Sequence, residues 1–170
     1  MNWRSSFLML VLAACTPDPR GNGDVDQTLT TQAVAAAIAS VNGSDNYRIL
    51  AVCGPAIGKA RFADAKEGKW IDDGITDGRL VFVVSQDNVN DLYFRDAAGG
   101  FFSSLAEGAE IRRSTKASSD SWVIFYPNTG VAETHVLSGG AELIDHWTNN
   151  KPVSLGGASL KAFVSICRRP

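Results

Sequence analysis

The stretch SWVIFYPNTGVAETHVL, residues 121–137, decides the fold of this 170-residue chain. Trp122 to Tyr126 and Val131 to Leu137 are rich in β-branched and aromatic residues, which favour strands. Pro127-Asn128-Thr129-Gly130 between them has the composition of a tight turn. Two such runs around a short turn predict a β-hairpin, so we expect neighbouring antiparallel strands here.

Short apolar runs bounded by turn residues continue along most of the chain. A second hairpin is predicted from residues 79–85 and 91–96, which flank Gln86-Asp87-Asn88-Val89-Asn90. The gaps between most runs are too short for crossover helices. The sequence therefore predicts a mainly β fold, an antiparallel meander sheet or small barrel. The other predicted strands are Arg48 to Val52, Leu143 to Trp147 and Leu160 to Ile166. The other predicted turns include Asp72-Asp73-Gly74, Asp77-Gly78, Ala98-Gly99-Gly100, Gly139-Gly140 and Gly156-Gly157.

One short N-terminal helix is expected before the strands. Its apolar residues recur with helical spacing, and they are Val34, Ala37, Ile38 and Val41. Thr30 or Thr31 is the candidate N-cap, and Asn42-Gly43 is the stop signal. We expect the apolar side to pack against the sheet. Binding to a membrane surface is the weaker alternative, because the polar side has no lysine or arginine.

The first fourteen residues have the layout of a secretion signal, with Arg4 followed by the apolar run Phe7 to Ala14. A bilayer-spanning helix needs roughly 20 apolar residues, so this run is too short to span. Leu12-Ala13-Ala14-Cys15 resembles the bacterial lipobox. The resemblance implies cleavage before Cys15 and a lipid on that cysteine. Thr16 is not the aspartate that commonly retains such proteins at the inner membrane, so the resemblance implies the periplasmic face of the outer membrane. An ordinary cleaved signal with an incidental cysteine is the alternative.

Three segments follow from this interpretation: a signal peptide at 1–14, a lipid-anchored flexible tether at 15–29, and a single β-rich domain at 30–170. The tether is rich in proline, glycine and aspartate and has almost nothing apolar to bury. Cleavage would remove Arg4 and no acid, so the formal net charge would change from −2 to −3. The lysines and arginines are scattered, so we expect no nucleic-acid partner.

Two cysteines remain in the predicted mature domain, Cys53 and Cys167. Export delivers a chain to an oxidising compartment, so we expect a disulfide between them. Two buried free thiols are the alternative. Metal binding is not expected, because neither cysteine has a histidine or a third cysteine near it in sequence.

Several catalytic and binding patterns fail at residues that their chemistry requires. Residues 54–60 look like a phosphate loop but have Ala60 where magnesium needs a hydroxyl, so we expect a turn after the Cys53 strand. Residues 73–84 fit a calcium loop except at Ile75 and Val84, which offer no side-chain oxygen, so a solvated turn is expected. No serine lies in a Gly-x-Ser-x-Gly pattern. The polar stretch 114–121 is predicted to be an exposed loop. No cofactor is predicted.

The two histidines, His135 and His146, are the remaining candidates for chemistry. Glu133 and His135 are two residues apart on one predicted strand and therefore face the same side. This spacing permits a weak metal or acid/base pairing with His146 on the next strand, where Asp145 could assist. A histidine that faces solvent or lines the sheet is the more common case, so no catalytic or metal-binding residue is assigned.

The aromatic residues allow two interpretations. Trp70, Trp122, Trp147 and Phe101-Phe102 each lie in or beside an apolar run, which favours core packing. A ligand pocket lined by some of them is the alternative.

The function expected from the sequence is a non-enzymatic binding or accessory domain. Its expected partners are the membrane, through the lipid on Cys15, and an unknown envelope protein or small ligand. One alternative is an envelope hydrolase that uses His135 and His146 with Glu133 or Asp145. Another comes from tethered lysozyme inhibitors, which are also small β proteins with a disulfide and to which the layout is loosely similar.

Overall fold

The structure is a computed structural model. It describes residues 46–63, 68–75, 79–95, 100–140, 142–152 and 158–170, together with six helical residues between 32 and 39. The predicted signal peptide, Cys15 and the tether lie outside the described residues. So do Thr30, Thr31, Ala37, Val41, Asn42, Gly43, Asp77, Gly78, Ala98, Gly99, Gly156 and Gly157.

Strands dominate the part of the chain that the structure describes. They are β1 (Tyr47–Phe62), β2 (Ile71–Ile75), β3 (Arg79–Ser85), β4 (Asn90–Arg95), β5 (Phe101–Ser103), β6 (Glu110–Lys116), β7 (Ser119–Tyr126), β8 (Val131–Gly139), β9 (Glu142–Lys151) and β10 (Ser159–Arg168). They form one sheet in the order β5-β4-β3-β1-β10-β9-β8-β7-β6, with β2 beside the second half of β1. All pairs are antiparallel. The predicted mainly β, antiparallel fold is confirmed.

Both predicted hairpins are present. β3 pairs with β4 and β7 pairs with β8. Gly130 has a φ of 71°, a left-handed conformation that suits glycine, and its N–H donates to Tyr126 O at 2.7 Å. Asn88 has a φ of 60° in the β3–β4 turn, and asparagine tolerates this conformation better than most residues.

Two predicted turns are wrong, because both segments are strand. Residues 54–60 continue β1, which pairs with β10 on one side and with β2 on the other. A register shift between Cys53 and Ala56 accommodates Gly54 and Pro55. Asp72-Asp73-Gly74 lies inside β2. Its two aspartates form ion pairs with Lys59 and Lys161, which offset the low strand preference of aspartate.

The predicted exposed loop at 114–121 is also wrong. β6 and β7 pair through this stretch and leave only residues 117–118 as a turn. Arg113 donates to both carboxylate oxygens of Asp120, at 2.8 and 2.6 Å, and Thr115 Oγ1 donates to the same group at 3.3 Å. These contacts across the strands hold the polar hairpin together.

The sheet curls into a half-barrel around an inner hydrophobic core. Phe82 of β3 and Trp122 of β7 meet edge to face in this core, with ring centroids 5.1 Å apart. The turn after β5 crosses towards β6, and Tyr126 Oη donates to Ser104 Oγ in this turn at 3.0 Å. The other core residues are Ala51, Cys53, Leu92, Ala109, Ile124, Leu137, Leu143 and Cys167.

The N-terminal helical residues cover the outer face of the sheet around β3. Val34 and Ile38 are buried, and they pack in a second cluster with Val81, Val83 and Tyr93. β3 is therefore covered on both faces, which explains its continuous apolar run Leu80 to Val84. The predicted packing of a short helix on the sheet is confirmed for these residues.

Cys53 and Cys167 lie directly opposite each other on β1 and β10 and form a disulfide, as predicted. The bond joins the two strands at which the N-terminal and C-terminal parts of the sheet meet. None of the helical residues that the structure describes belongs to a helix long and apolar enough to cross a membrane.

Candidate functional site

The curled sheet encloses a cavity of about 680 Å³ at the end that carries the β7–β8 turn. This volume falls in the range of small-molecule sites, roughly 300 to 1,000 Å³. The second half of β1 and the strands β8, β9 and β10 form its inner wall. Along each of these strands, alternate side chains face inward and share rows with their neighbours in register.

One row of side chains on the inner face is aromatic, and two of its members, Trp147 and Phe163, line the cavity. The register places His135, Trp147 and Phe163 side by side on β8, β9 and β10. The ring centroids of Trp147 and Phe163 are 4.5 Å apart, and those of Trp147 and His135 are 5.3 Å apart, both in stacked geometry. The next residue in the row is Gly58 of β1. A Cβ at this position would lie 2.8 Å from Phe163 Cδ1 and 2.0 Å from the backbone oxygen of Ala162, so the row requires glycine.

The adjacent row, nearer the cavity mouth, is polar. It consists of Glu133, Asn149 and Lys161, again on β8, β9 and β10. Asn149 Nδ2 donates to Glu133 Oε1 at 2.6 Å. Lys161 Nζ lies 2.8 Å from Asp73 Oδ2, and this contact holds the pKa of the Asp73 carboxyl below its ordinary value. A ligand in the cavity would meet an aromatic floor bordered by hydrogen-bonding groups.

His135 is buried and held between two carboxylates. Its Nδ1 lies 2.9 Å from Asp145 Oδ2, and its Nε2 lies 3.8 Å from Glu133 Oε2. Burial by itself would lower the pKa of His135. The hydrogen bond to Asp145 and the attraction of Glu133 outweigh that effect and raise the pKa to about 9. The ring is therefore an imidazolium at neutral pH, with Nδ1–H donating to Asp145.

His146 does not join this group, so the pairing with His135 that the sequence permitted is not formed. Neighbouring residues on a strand point to opposite faces. Asp145 is buried inside, so His146 lies on the exposed outer face, where its register partners are Val136 and Val164. The prediction that Glu133 and His135 share one side is confirmed, because both contribute to the inner face.

The predicted aromatic residues divide between the core, the cavity and the surface. Trp122 is fully buried, while Trp147 is buried and lines the cavity. Trp70 and Phe102 are exposed, and Phe101 packs partly against the cluster under the helical residues. Core packing is thus correct for two of the three tryptophans.

Several residues at the cavity were not singled out from the sequence. Phe163 and Lys161 contribute to the wall, and Arg79 and Arg95 border the cavity from β3 and β4. The sequence could have indicated the two arginines. They lie near the open end of the hairpin predicted from residues 79–85 and 91–96, and pairing of its strands brings them together.

The cavity has the volume and the mixed aromatic and polar wall of a small-molecule binding site. No group of three or more His, Cys, Asp or Glu side chains among the described residues is arranged to hold a metal ion. Comparison with known protein families, with curated proteins and with solved structures found no match for this chain.

Proposed function

We propose that the chain is a lipid-anchored protein of the cell envelope whose β domain binds a small ligand and catalyses no reaction. The cavity carries this proposal, because its volume suits a small molecule and its wall combines aromatic and hydrogen-bonding side chains. Trp147 adds an aromatic surface for contact, because this residue lines the cavity and its ring stacks on Phe163.

The proposed location follows from Cys15. A lipid on this residue and a polar tether would hold the domain at the periplasmic face of the outer membrane. Tethering raises the local concentration of a binding domain at its surface, so even a weak interaction becomes effective.

The protonation state of His135 does not suit a general base. A general base must be unprotonated to accept a proton, and a histidine with a pKa of about 9 is protonated at neutral pH. Within the described residues, no hydroxyl or thiol hydrogen-bonds to this ring. Both features fit a structural imidazolium that fixes the carboxylates of Glu133 and Asp145.

A hydrolase is the second candidate, because Glu133 lines the cavity beside the buried His135–Asp145 pair. In that case the Glu133 carboxylate, and not His146, would perform the acid/base step on a ligand in the cavity.

The test compares two valines of one strand. Val131 lines the cavity, whereas Val136 is on the exposed outer face of β8. The wild-type protein, Val131→Trp and Val136→Trp are purified from their own envelopes, and the small molecules that accompany each are analysed by mass spectrometry. We expect a compound that accompanies the wild type and Val136→Trp and is lost with Val131→Trp. Equal recovery from all three proteins would contradict cavity binding.

The same compound separates binding from hydrolysis. It is incubated with the wild-type protein and with Glu133→Gln, and its chemical state is followed over time. A binding protein leaves it unchanged in both. Conversion by the wild type alone would establish the hydrolase.

A further inference from the structure

Two arginines lie side by side at the margin of the cavity. Arg79 begins β3, Arg95 ends β4, and the register places them directly opposite each other. Directly opposed side chains leave the same face of a sheet with Cβ atoms about 5 Å apart, and like charges in such a pair are destabilising. Both are half-buried and both line the cavity.

Neither arginine is neutralised by a residue that the structure describes. The guanidinium groups of Arg79 and Arg95 make no ion pair or hydrogen bond with any residue that the structure describes. By contrast, Arg113 lies in a bidentate pair with Asp120. A guanidinium group with unused donors presents a planar fork that matches the oxygens of a carboxylate or a phosphate, and two arginines lie in register here.

The position of the pair separates it from the apolar interior. Leu80 and Phe94, the neighbours of the two arginines along β3 and β4, are register partners, and Leu80 packs on the core. Side chains alternate along a strand, so the arginines border the cavity from the other face, at its margin. Both arginines nevertheless line the cavity, so their charge is available to a group at its edge, while Trp147 and Phe163 line it for a group inside.

A third cation strengthens the positive character of this end. Lys151 ends β9, lines the cavity and makes no ion pair with another described residue. Two acids also line the cavity, Glu107 and Glu133, and Glu133 accepts from Asn149 and lies near the charged His135. They offset only part of the charge of the four lining cations, which are Arg79, Arg95, Lys151 and Lys161. The cavity thus has a surplus of positive charge at its margin.

We infer that the ligand is an anionic amphiphile, with a carboxylate or phosphate head held by Arg79 and Arg95 and an apolar body against the aromatic row. This inference rests on the proposed function, since it names the class of molecule that the cavity binds. The opposed arginines then have a reason to be adjacent, because the bound head compensates their repulsion.

The test uses four probes with one common body. They are 4-phenylbutyrate, 4-phenylbutyl phosphate, 4-phenylbutan-1-ol and 4-phenylbutylamine. Each is titrated by calorimetry into the lipidated protein in lipid nanodiscs, with empty nanodiscs subtracted. We expect the two anions to bind at least tenfold more tightly than the alcohol and the amine. Inorganic phosphate alone is the fifth probe, and its binding as tightly as 4-phenylbutyl phosphate would overturn the requirement for an apolar body.

The variant Arg79→Gln/Arg95→Gln should lose at least tenfold in affinity for both anions and keep its affinity for the alcohol. Removal of a like-charge pair should not unfold the protein, so the variant remains suitable for titration. Arg112→Gln/Arg168→Gln is the matched control, because it removes the same charge from two exposed arginines that do not line the cavity. An anion preference that survives in the Arg79/Arg95 variant overturns the inference.

Two failures are distinguishable. If the wild type binds the alcohol as tightly as the anions, the proposed preference for an anionic head is wrong, and the proposal that the cavity binds a ligand still holds. Absence of binding by all the probes, together with no compound lost in Val131→Trp, overturns both proposals.

Discussion

The buried His135 should make the stability of the protein depend on alkaline pH. Its pKa is about 9 in the folded chain against an ordinary 6.5. A group whose pKa rises on folding stabilises the folded state fully below its unfolded pKa, and this contribution is lost as the pH rises through the folded pKa. The difference corresponds to about 3 kcal/mol. We therefore expect the free energy of unfolding to fall by about that amount between pH 6.5 and pH 10.

The assay is urea unfolding of the protein at several pH values, followed by tryptophan fluorescence. The groups that face His135 are Glu133 on β8, Asp145 and Trp147 on β9, Phe82 on β3 and Trp122 on β7. His135→Gln should be less stable and should lose most of the alkaline fall, whereas His146→Gln should retain it, because that ring is exposed. Stability that stays level from pH 6.5 to 10 in the wild type, or an equal fall in His135→Gln, would refute the reasoning.

Three further predictions concern the disulfide, one glycine and the anchor. Cys53→Ala/Cys167→Ala should lose about 4 to 5 kcal/mol of unfolding free energy, because the bond closes a loop across a separation of 114 residues; calorimetry with an unchanged melting temperature would contradict this. Gly58→Ala should lower the free energy of unfolding by about 2 kcal/mol or more, because its Cβ would lie 2.0 Å from a backbone oxygen of β10. Gly54→Ala is the control, because its Cβ would lie 3.8 Å from the nearest atom. Equal denaturation midpoints for the two variants would contradict the tight packing at Gly58. Clickable fatty acid should label the wild type and not Cys15→Ser, and equal labelling would disprove the lipid anchor.

Local signals were sufficient for much of the fold. The hairpin around Pro127 to Gly130 was predictable because its turn chemistry and its flanking strands agree. The sequence of β1 beyond Cys53 was misleading, because Gly54 and Pro55 normally end a strand. Pairing with β2 and β10 on its two sides keeps residues 56–62 extended, and this is a tertiary effect that local composition does not contain.

The candidate site was predictable only in fragments. Alternation along β8 correctly placed Glu133 beside His135, and the same rule applied to β9 would have placed Asp145 inside and His146 outside. The cavity itself depends on how far the sheet curls, and the row of His135, Trp147 and Phe163 depends on the register of three strands. Neither the curl of the sheet nor the register of these strands can be predicted from one local segment of the sequence.

The pairing of β1 with β10 determines when the protein can finish folding. A chain is made from its N-terminus, so the hairpins β3–β4 and β7–β8 can form as soon as their own residues emerge. One side of β1, however, must wait for β10, which is made about 100 residues later. Until then an unpaired strand edge in the middle of the future sheet is open to pairing with other chains. Truncation of even the final ten residues would therefore leave two separate half-sheets, each with an exposed edge, because β10 completes the centre of the sheet and not its margin.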